Sequence, residues 1–359
     1  MTEFKGIFID VGQGDCTLLV LPDGRFMLVD VYRCPGQGTV DVFKVLRDLL
    51  PRGEDGRQLL HYLVITHAHD DHIWGIGDLA EEFEIGELWV PQYGAKQKLS
   101  DNYEVFEKVI EEQPDDRKVW QKGSRTPVAE LGAGGEVSVR CFSPPGYIEV
   151  EEALDEDEAR KVVHEHCGVY RVTYQGVSVM LAGDSNLAAW QRIVGYYEGR
   201  TDGNDLSVLA SQVLHGSHHG SRTFVKDDKD DEPWLDALEA IDPADVVLSV
   251  GEGNRHEHPH PDMLAIYEKQ VGAEHVHQTK DAGTMVLSVT GEGAYELAED
   301  TTFADRYGWD DDDGDKQAGA AGPPDSGSAG RTRRPPATPA PGHEKTPQRP
   351  PRRERYADA

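Results

Sequence analysis

Apolar and polar positions divide the first three hundred residues into strands and helices of ordinary length. Residues 4–11 and 16–21 read as strands joined by Gly12-Gln13-Gly14-Asp15, a turn of residues that tolerate positive φ. Residues 26–31 form a third strand. Residues 39–50 have helical spacing in Val42, Val45, Leu46 and Leu49, and Pro51-Arg52-Gly53 stops them. Residues 60–65 read as a buried strand, followed by a short helix at about 73–82 and a strand through Leu88-Trp89-Val90. Further strands are expected at 137–142, 169–174 and 177–181, the last two as a hairpin across Gln175-Gly176. Residues 187–197, 233–241 and 261–270 look helical; 208–214, 246–250 and 284–290 look like strands. Because the strands come in runs with helices between the runs, the pattern fits an α/β protein with two mixed sheets packed face to face and helices outside, not a doubly wound parallel sheet.

The pattern ends near residue 300. Asp310-Asp311-Asp312-Asp313 leads into Gly/Ala/Pro/Ser-rich sequence and a Pro/Arg-rich end, which buries too little to fold. The expected organisation is one domain over 1–300 and an acidic, then Pro/Arg-rich tail over 301–359, disordered from about residue 310.

Charge changes the picture of partners. The 359 residues hold 36 Lys/Arg and 66 Asp/Glu, a formal charge of −30. From Arg331 onward there are eight basic and three acidic residues, a local +5, which leaves −35 on residues 1–330. Solubility is the plain reading of that acidity. It weighs against tight general binding of nucleic acid, but bound cations can reverse the field inside a cleft, so a nucleic-acid substrate remains open. Cys16, Cys34, Cys141 and Cys167 are scattered without a C-x-x-C pair, as in a reduced cytoplasmic protein. The start has no signal-peptide pattern, and no apolar run reaches the ~20 residues of a membrane span. No membrane association is expected, and a role for the tail in binding a protein partner is left open.

The chemistry concentrates in His67-Ala68-His69-Asp70-Asp71-His72, directly after a buried strand. Imidazole and carboxylate without cysteine suit a hydrolytic site for zinc, manganese or iron better than a closed structural zinc site. Other donors follow the same rule of strand, then His or Asp. They are Asp184 after 177–181, His218 and His219 after 208–214, and the loop from Asn254 to Pro261 after 246–250; His164-Glu165-His166 precedes the strand from Val169. Gly12-Gln13-Gly14-Asp15 lacks the spacing of a phosphate cradle and reads as a turn that lets backbone approach these loops. Asp10 and Asp30 read as hydrogen-bond anchors, and His256 and His260 as solvated loop residues.

Taken in order, Asp10-Val11-Gly12-Gln13-Gly14-Asp15, the H-x-H-x-D-H box at 67–72, Gly183-Asp184, His218-His219-Gly220-Ser221, Ser249-Val250-Gly251, Asn254-Arg255 and His258-Pro259 resemble a metallo-β-lactamase-fold hydrolase. Within that superfamily the chain is most similar to the hydrolase domain of the ComEC type. The resemblance implies a four-layer αββα sandwich and two divalent ions, zinc first, with manganese or iron as alternatives. It implies that His67, His69 and His166 hold one ion, with His164 as the alternative third histidine. Asp71, His72 and His218 would hold the second, with Asp184 bridging. His219 would contact a ligand or the substrate, and His258 would act as an acid or as a donor to a developing oxyanion. Asp71 would hold the proton of the nucleophile.

The resemblance further implies hydrolysis by a hydroxide shared between the two ions, with a phosphodiester as the expected substrate. The same hydroxide serves a thioester, lactone or phosphocholine ester, and pocket walls around Trp74, Tyr93 and Arg255 would choose between them. A non-catalytic metal-binding scaffold or sensor is disfavoured by the intact donor set, and an antibiotic-hydrolysing site by His72 after Asp71. Trp74-Gly75 stands where relatives have Gly-Gly, many relatives lack the histidine at position 69 or 166, and the ComEC membrane channel is not part of this sequence. A role in DNA uptake therefore does not follow.

Overall fold

The computed structural model describes residues 3–91, 93–95, 100–145, 148–150 and 156–310, all within the unit Met1–Ala320. The strands of the first half are β1 (Phe4–Phe8), β2 (Thr17–Val20), β3 (Phe26–Val29), β4 (Gln58–Val64), β5 (Phe83–Pro91), β6 (Tyr93–Ala95), β7 (Lys118–Gln121) and β8 (Ala129–Leu131). Those of the second half are β9 (Val137–Ser143), β10 (Ile148–Val150), β11 (Val169–Tyr174), β12 (Val177–Leu181), β13 (Val213–His215), β14 (Asp245–Leu248), β15 (Val276–Gln278), β16 (Met285–Val289) and β17 (Tyr295–Glu299). One sheet has the order β17-β16-β1-β2-β3-β4-β5-β7 and the other β15-β14-β13-β12-β11-β9-β8, while β6 and β10 pair separately.

Three apolar clusters separate four layers, as the αββα expectation requires. Ile7, Leu28, Leu63, Ile65 and Phe43 fill the space between the first sheet and its helices. Phe8, Val29, Val64, Tyr170, Val179 and Val247 fill the space between the sheets. Met180, Leu214, Val246, Trp190 and Tyr267 lie between the second sheet and its helices. A strand covered on both faces has no polar side to present, which is why the stretch into Ile65 is apolar without alternation.

Each sheet is antiparallel in one half and parallel in the other: β3, β4, β5 and β7 run parallel, as do β12, β13, β14 and β15. That arrangement builds the site. The segments after β3, β4, β12, β13 and β14 leave from the C-terminal ends of parallel strands, so they emerge at one edge of their sheets. The turn before β2 and the segment before β11 reach the same edge, because β2 is antiparallel to β3 and β11 to β12.

Several local expectations are corrected. Leu206–Leu209 is a 3-10 helix, so the expected strand at 208–214 shrinks to β13. Asp205 caps that helix by accepting from the Ser207 amide, a local side-chain to backbone bond that competes with a strand. Helices Asp101–Glu112 and Glu156–Glu165 lie where no element was expected. The folded body also runs past residue 300. Helix Phe303–Tyr307 sets Phe303 and Tyr307 into the first apolar cluster, and the Tyr307 hydroxyl donates to Asp48 at 2.6 Å. The disorder expected from about residue 310 lies, beyond Asp310, outside the described residues. Among the described residues no helix is long and apolar enough to cross a membrane, and the four cysteines are buried and free.

Candidate metal centre

Two donor groups meet at Asp184. The first is His67, His69, His164 and Asp184; the second is Asp71, His72, His219 and Asp184, and within each group the donor atoms lie within 4.8 Å of one another. In the first, His69 Nδ1 stands 3.1 Å from His67 Nε2 and 2.9 Å from His164 Nε2, and Asp184 Oδ2 is 3.8 Å from His67 Nε2 and 3.6 Å from His164 Nε2. In the second, Asp184 Oδ1 lies 3.1 Å from His72 Nε2 and 3.7 Å from His219 Nε2, and Asp71 Oδ2 is 3.4 Å from His219 Nε2.

The residues fit metal ions on physical grounds. His72 Nε2, His219 Nε2 and Asp184 Oδ1, all facing the cluster, are buried without a hydrogen-bond partner. Each such orphan costs about 1–3 kcal/mol unless something satisfies it. Ligands about 3–3.5 Å apart are what a tetrahedral ion with bonds of about 2.1 Å demands.

Groups behind the donors fix their orientation. His72 Nδ1 donates to Asp30 Oδ2 at 2.7 Å, which frees Nε2, and Asp30 also accepts from the Thr66 amide and hydroxyl at 2.7 Å each. His219 Nδ1 donates to the Ser249 carbonyl at 2.8 Å, which likewise aims Nε2 at Asp71 and Asp184. Asp15 lies 3.9 Å from His72 Nδ1 and 3.6 Å from both His215 Nε2 and His219 Nδ1. Such backing residues set tautomer and basicity. Asp10 is an anchor as expected, accepting from the Thr39 hydroxyl at 2.6 Å, whereas Asp30 anchors a loop and backs the centre.

Electrostatically the two groups differ. Burial, then the neighbouring His72 and His69, pushes His67 well below its ordinary value; burial and His164 push His69 to about 3. Burial also lowers His164 and lowers His218 strongly, against the pull of Asp184. For His72 burial acts downward too, yet the Asp184 and Asp30 carboxylates outweigh it and hold the imidazole well above its ordinary value. Burial is likewise outweighed at His219, which Asp184 and Asp15 raise to about 9.

Sequence expectation and geometry disagree at two histidines. His166 is not in the cluster: its Nδ1 donates to the Val162 carbonyl at 2.9 Å. His164 ends helix Glu156–Glu165 and faces the other donors; residues two apart near a helix end point in nearly opposite directions, so only one of the pair could. At the next motif His219 completes the second group, not His218. His218 sets its ring edge-on to that of His164, centroids 4.4 Å apart, with Nε2 3.4 Å from Asp184 Oδ2. Both residues sit at positive φ, 50° and 54°, an uncommon conformation for histidine and one that periodicity does not reveal.

His67, His69, Asp71, His72 and Asp184 are brought together as expected. His258 lies at the rim, its ring 5.3 Å from that of His218. Gln13 reaches it, with Nε2 3.4 Å from His258 Nδ1, and accepts from the Gly251 amide at 3.2 Å. Asn254 accepts from the His258 amide and donates to the Gly251 and His258 carbonyls. The Gly-Gln-Gly-Asp turn does bring backbone to the metal loops. The Asp15 amide donates to the Asp71 carbonyl at 3.0 Å, and a Cβ at Gly14 would lie 2.7 Å from that oxygen. His260 accepts from the Arg222 amide and so ties its loop to the segment after β13, whereas His256 accepts from the adjacent, exposed Arg255 within its own loop. Trp74 is partly buried near the box; the Tyr93 side chain lies outside the described residues.

Residues 9–233 match the Metallo-beta-lactamase superfamily. The chain belongs to it. This superfamily member is also 23% identical over 279 residues to ComE operon protein 3 of Bacillus subtilis (strain 168), covering 73% of this chain and 30% of that protein. The chain thus spans under a third of that relative's length. Among solved structures, CmlA, a diiron beta-hydroxylase from Streptomyces venezuelae, aligns at 13% identity and TM-score 0.43, covering 77% of this chain and 52% of that one. Zn(2+)-bound PqqB from Methylobacterium extorquens aligns at 14% identity and TM-score 0.36, over 79% and 86% of the two chains. Human tRNase Z, short form, does so at 13% and 0.34, over 76% and 91%.

Proposed function

We propose that this superfamily hydrolase is a phosphodiesterase acting through two divalent ions, zinc first. The observation that carries the reading is the pair of donor groups joined by one buried carboxylate, Asp184. Two ions so held would lower the pKa of a water and clamp the attacking and leaving oxygens of a displacement at phosphorus. His67, His69 and His164 would hold one, Asp71, His72 and His219 the other, and Asp184 both.

The remaining steps belong to the chain's own side chains. Asp71 is the donor with the most exposed carboxylate, about a third open, so an oxygen that the ion leaves free can take the proton from the attacking water. Burial, and then the charge of His219, holds His258 down at about 3, so it is a neutral imidazole at ordinary pH. With Gln13 Nε2 donating to Nδ1, its proton sits on Nε2. His258 is then a hydrogen-bond donor to charge building on a phosphoryl oxygen, and the role of acid is given up.

Hydrolysis of bis(p-nitrophenyl) phosphate by protein loaded with zinc, then manganese, tests this. Turnover that vanishes in Asp71→Ala and with chelator is expected. Absence of turnover from protein shown to hold two ions would reject it in favour of a carboxylic ester or thioester.

A further inference from the structure

Away from the donors, the acidic body carries a cationic surface. Arg171 on β11 lies directly across from Arg140 on β9. Like charges facing across a strand pair destabilise a sheet. Among the described residues Arg171 Nε is buried without a partner, and Arg140 donates to the neutral Asn204 at 3.3 Å. Next to them the C-terminal turn of helix Leu187–Tyr197 presents Tyr196, 38% exposed, its ring 4.9 Å from that of the buried Tyr197. The Arg200 guanidinium stands 5.2 Å over the Tyr196 ring and that of Arg125 5.8 Å, and Arg125 also donates to the Tyr196 hydroxyl. Asp202 pairs with Arg200 at 2.6 Å. Folding gains nothing from Arg140 facing Arg171, whereas an anion laid between them would remove the repulsion.

We propose that Arg125, Arg140, Arg171 and Arg200, with Tyr196, form a docking surface for the phosphate backbone of a single-stranded nucleic acid. The proposal rests on the phosphodiesterase reading and names its substrate as a polymer held at two places. Helix Leu187–Tyr197 begins three residues after Asp184 and ends at the surface. At 1.5 Å per residue the two places are roughly 16 Å apart, several nucleotides of chain. Guanidinium forks match phosphate oxygens, and the Tyr196 ring holds two of those forks in place. A polynucleotide would reach this surface despite the repulsion of the acidic body because the second anchor comes with the ions in the centre.

The test uses the full chain loaded with metal and a fluorescein-labelled 20-nucleotide single strand. Arg125→Glu with Arg200→Glu, and separately Arg140→Gln, should weaken binding in anisotropy by about tenfold or more. Each cation removed should flatten the slope of log K against log salt by about 0.7. The KM of the 20-mer should rise, while hydrolysis of bis(p-nitrophenyl) phosphate and of a dinucleotide stays at the level of the parent. Unchanged 20-mer affinity in both variants overturns the proposal. So does competition by polyglutamate as strong as by unlabelled oligonucleotide, which would mark a dock for acidic protein. Should the parent fail to hydrolyse bis(p-nitrophenyl) phosphate, the phosphodiesterase reading falls, and anisotropy still decides the surface by itself.

Discussion

The two donor groups share Asp184 and little else. The first is three imidazoles whose burial makes them neutral, with Thr66 Oγ1 3.2 Å from His67 Nδ1 and no carboxylate behind them among the described residues. The second sets two imidazoles against Asp71, with Asp30 and Asp15 behind them, and in the absence of ions it holds protons on His72 and His219. An ion entering the first group breaks the hydrogen bonds among its imidazoles but releases no net proton. One entering the second must compete with protons, but meets more negative charge. Two sites built in one edge of one fold can therefore differ in their pH dependence for a reason visible in their backing residues.

Ways to break or sharpen this contrast run from large effects to small. Asp184→Ala should remove the contrast by emptying both groups: bound metal measured by mass spectrometry should fall below one ion per chain, and phosphodiester turnover by about a thousandfold or more. Asp71→Ala should separate the groups, leaving about one ion, retained by the three histidines. Asp30→Asn should weaken the second ion about 10–100-fold and leave the first unchanged; equal loss at both would show that the backing residues do not discriminate.

Acidity gives a fourth handle. His219 is raised from an ordinary 6.5 to about 9, so its contribution to the stability of the metal-free protein is complete below pH 6.5 and lost as pH climbs through about 9. His72, also raised, acts in the same sense. Thermal unfolding of metal-free protein should occur at falling temperature over that window, while loaded protein holds steady. Dialysed protein should keep the first ion near pH 6 and gain the second as pH rises. The smallest effect is expected from His166→Ala, with metal content unchanged and stability within about 0.5 kcal/mol, whereas His164→Ala should lose the first ion.

What the chain discloses before folding follows from the range of the interactions involved. The box at 67–72 was legible because its donors are adjacent and follow a strand with both faces covered. Convergence was legible as a rule of strand, then ligand, although the parallel pairing that enforces it is a property of the sheets. The pairs His164/His166 and His218/His219 were not resolved. The first depends on a helix hidden in an acidic stretch, and the second on positive φ at two successive histidines. Asp15 and Asp30 stood out as turn and anchor residues, but their place behind His72 and His219 comes from partners tens to hundreds of positions away. The facing arginines likewise arise from register between strands about thirty residues apart.

The short helix after residue 300 has a practical consequence for anyone trimming this protein. Composition suggests a cut at 300, just before the polar tail, and such a cut looks harmless. It would withdraw Phe303 and Tyr307 from beneath the first sheet's helices and strip the bonds from Lys44 to the Gly308 carbonyl and from Tyr307 to Asp48. Vacating a large aromatic from a core costs about 3–5 kcal/mol, a sizeable part of the about 5–15 kcal/mol that holds a typical protein folded. A version ending at 300 would behave as a destabilised mutant, and silence from it in an assay would report lost folding before it reported anything about chemistry.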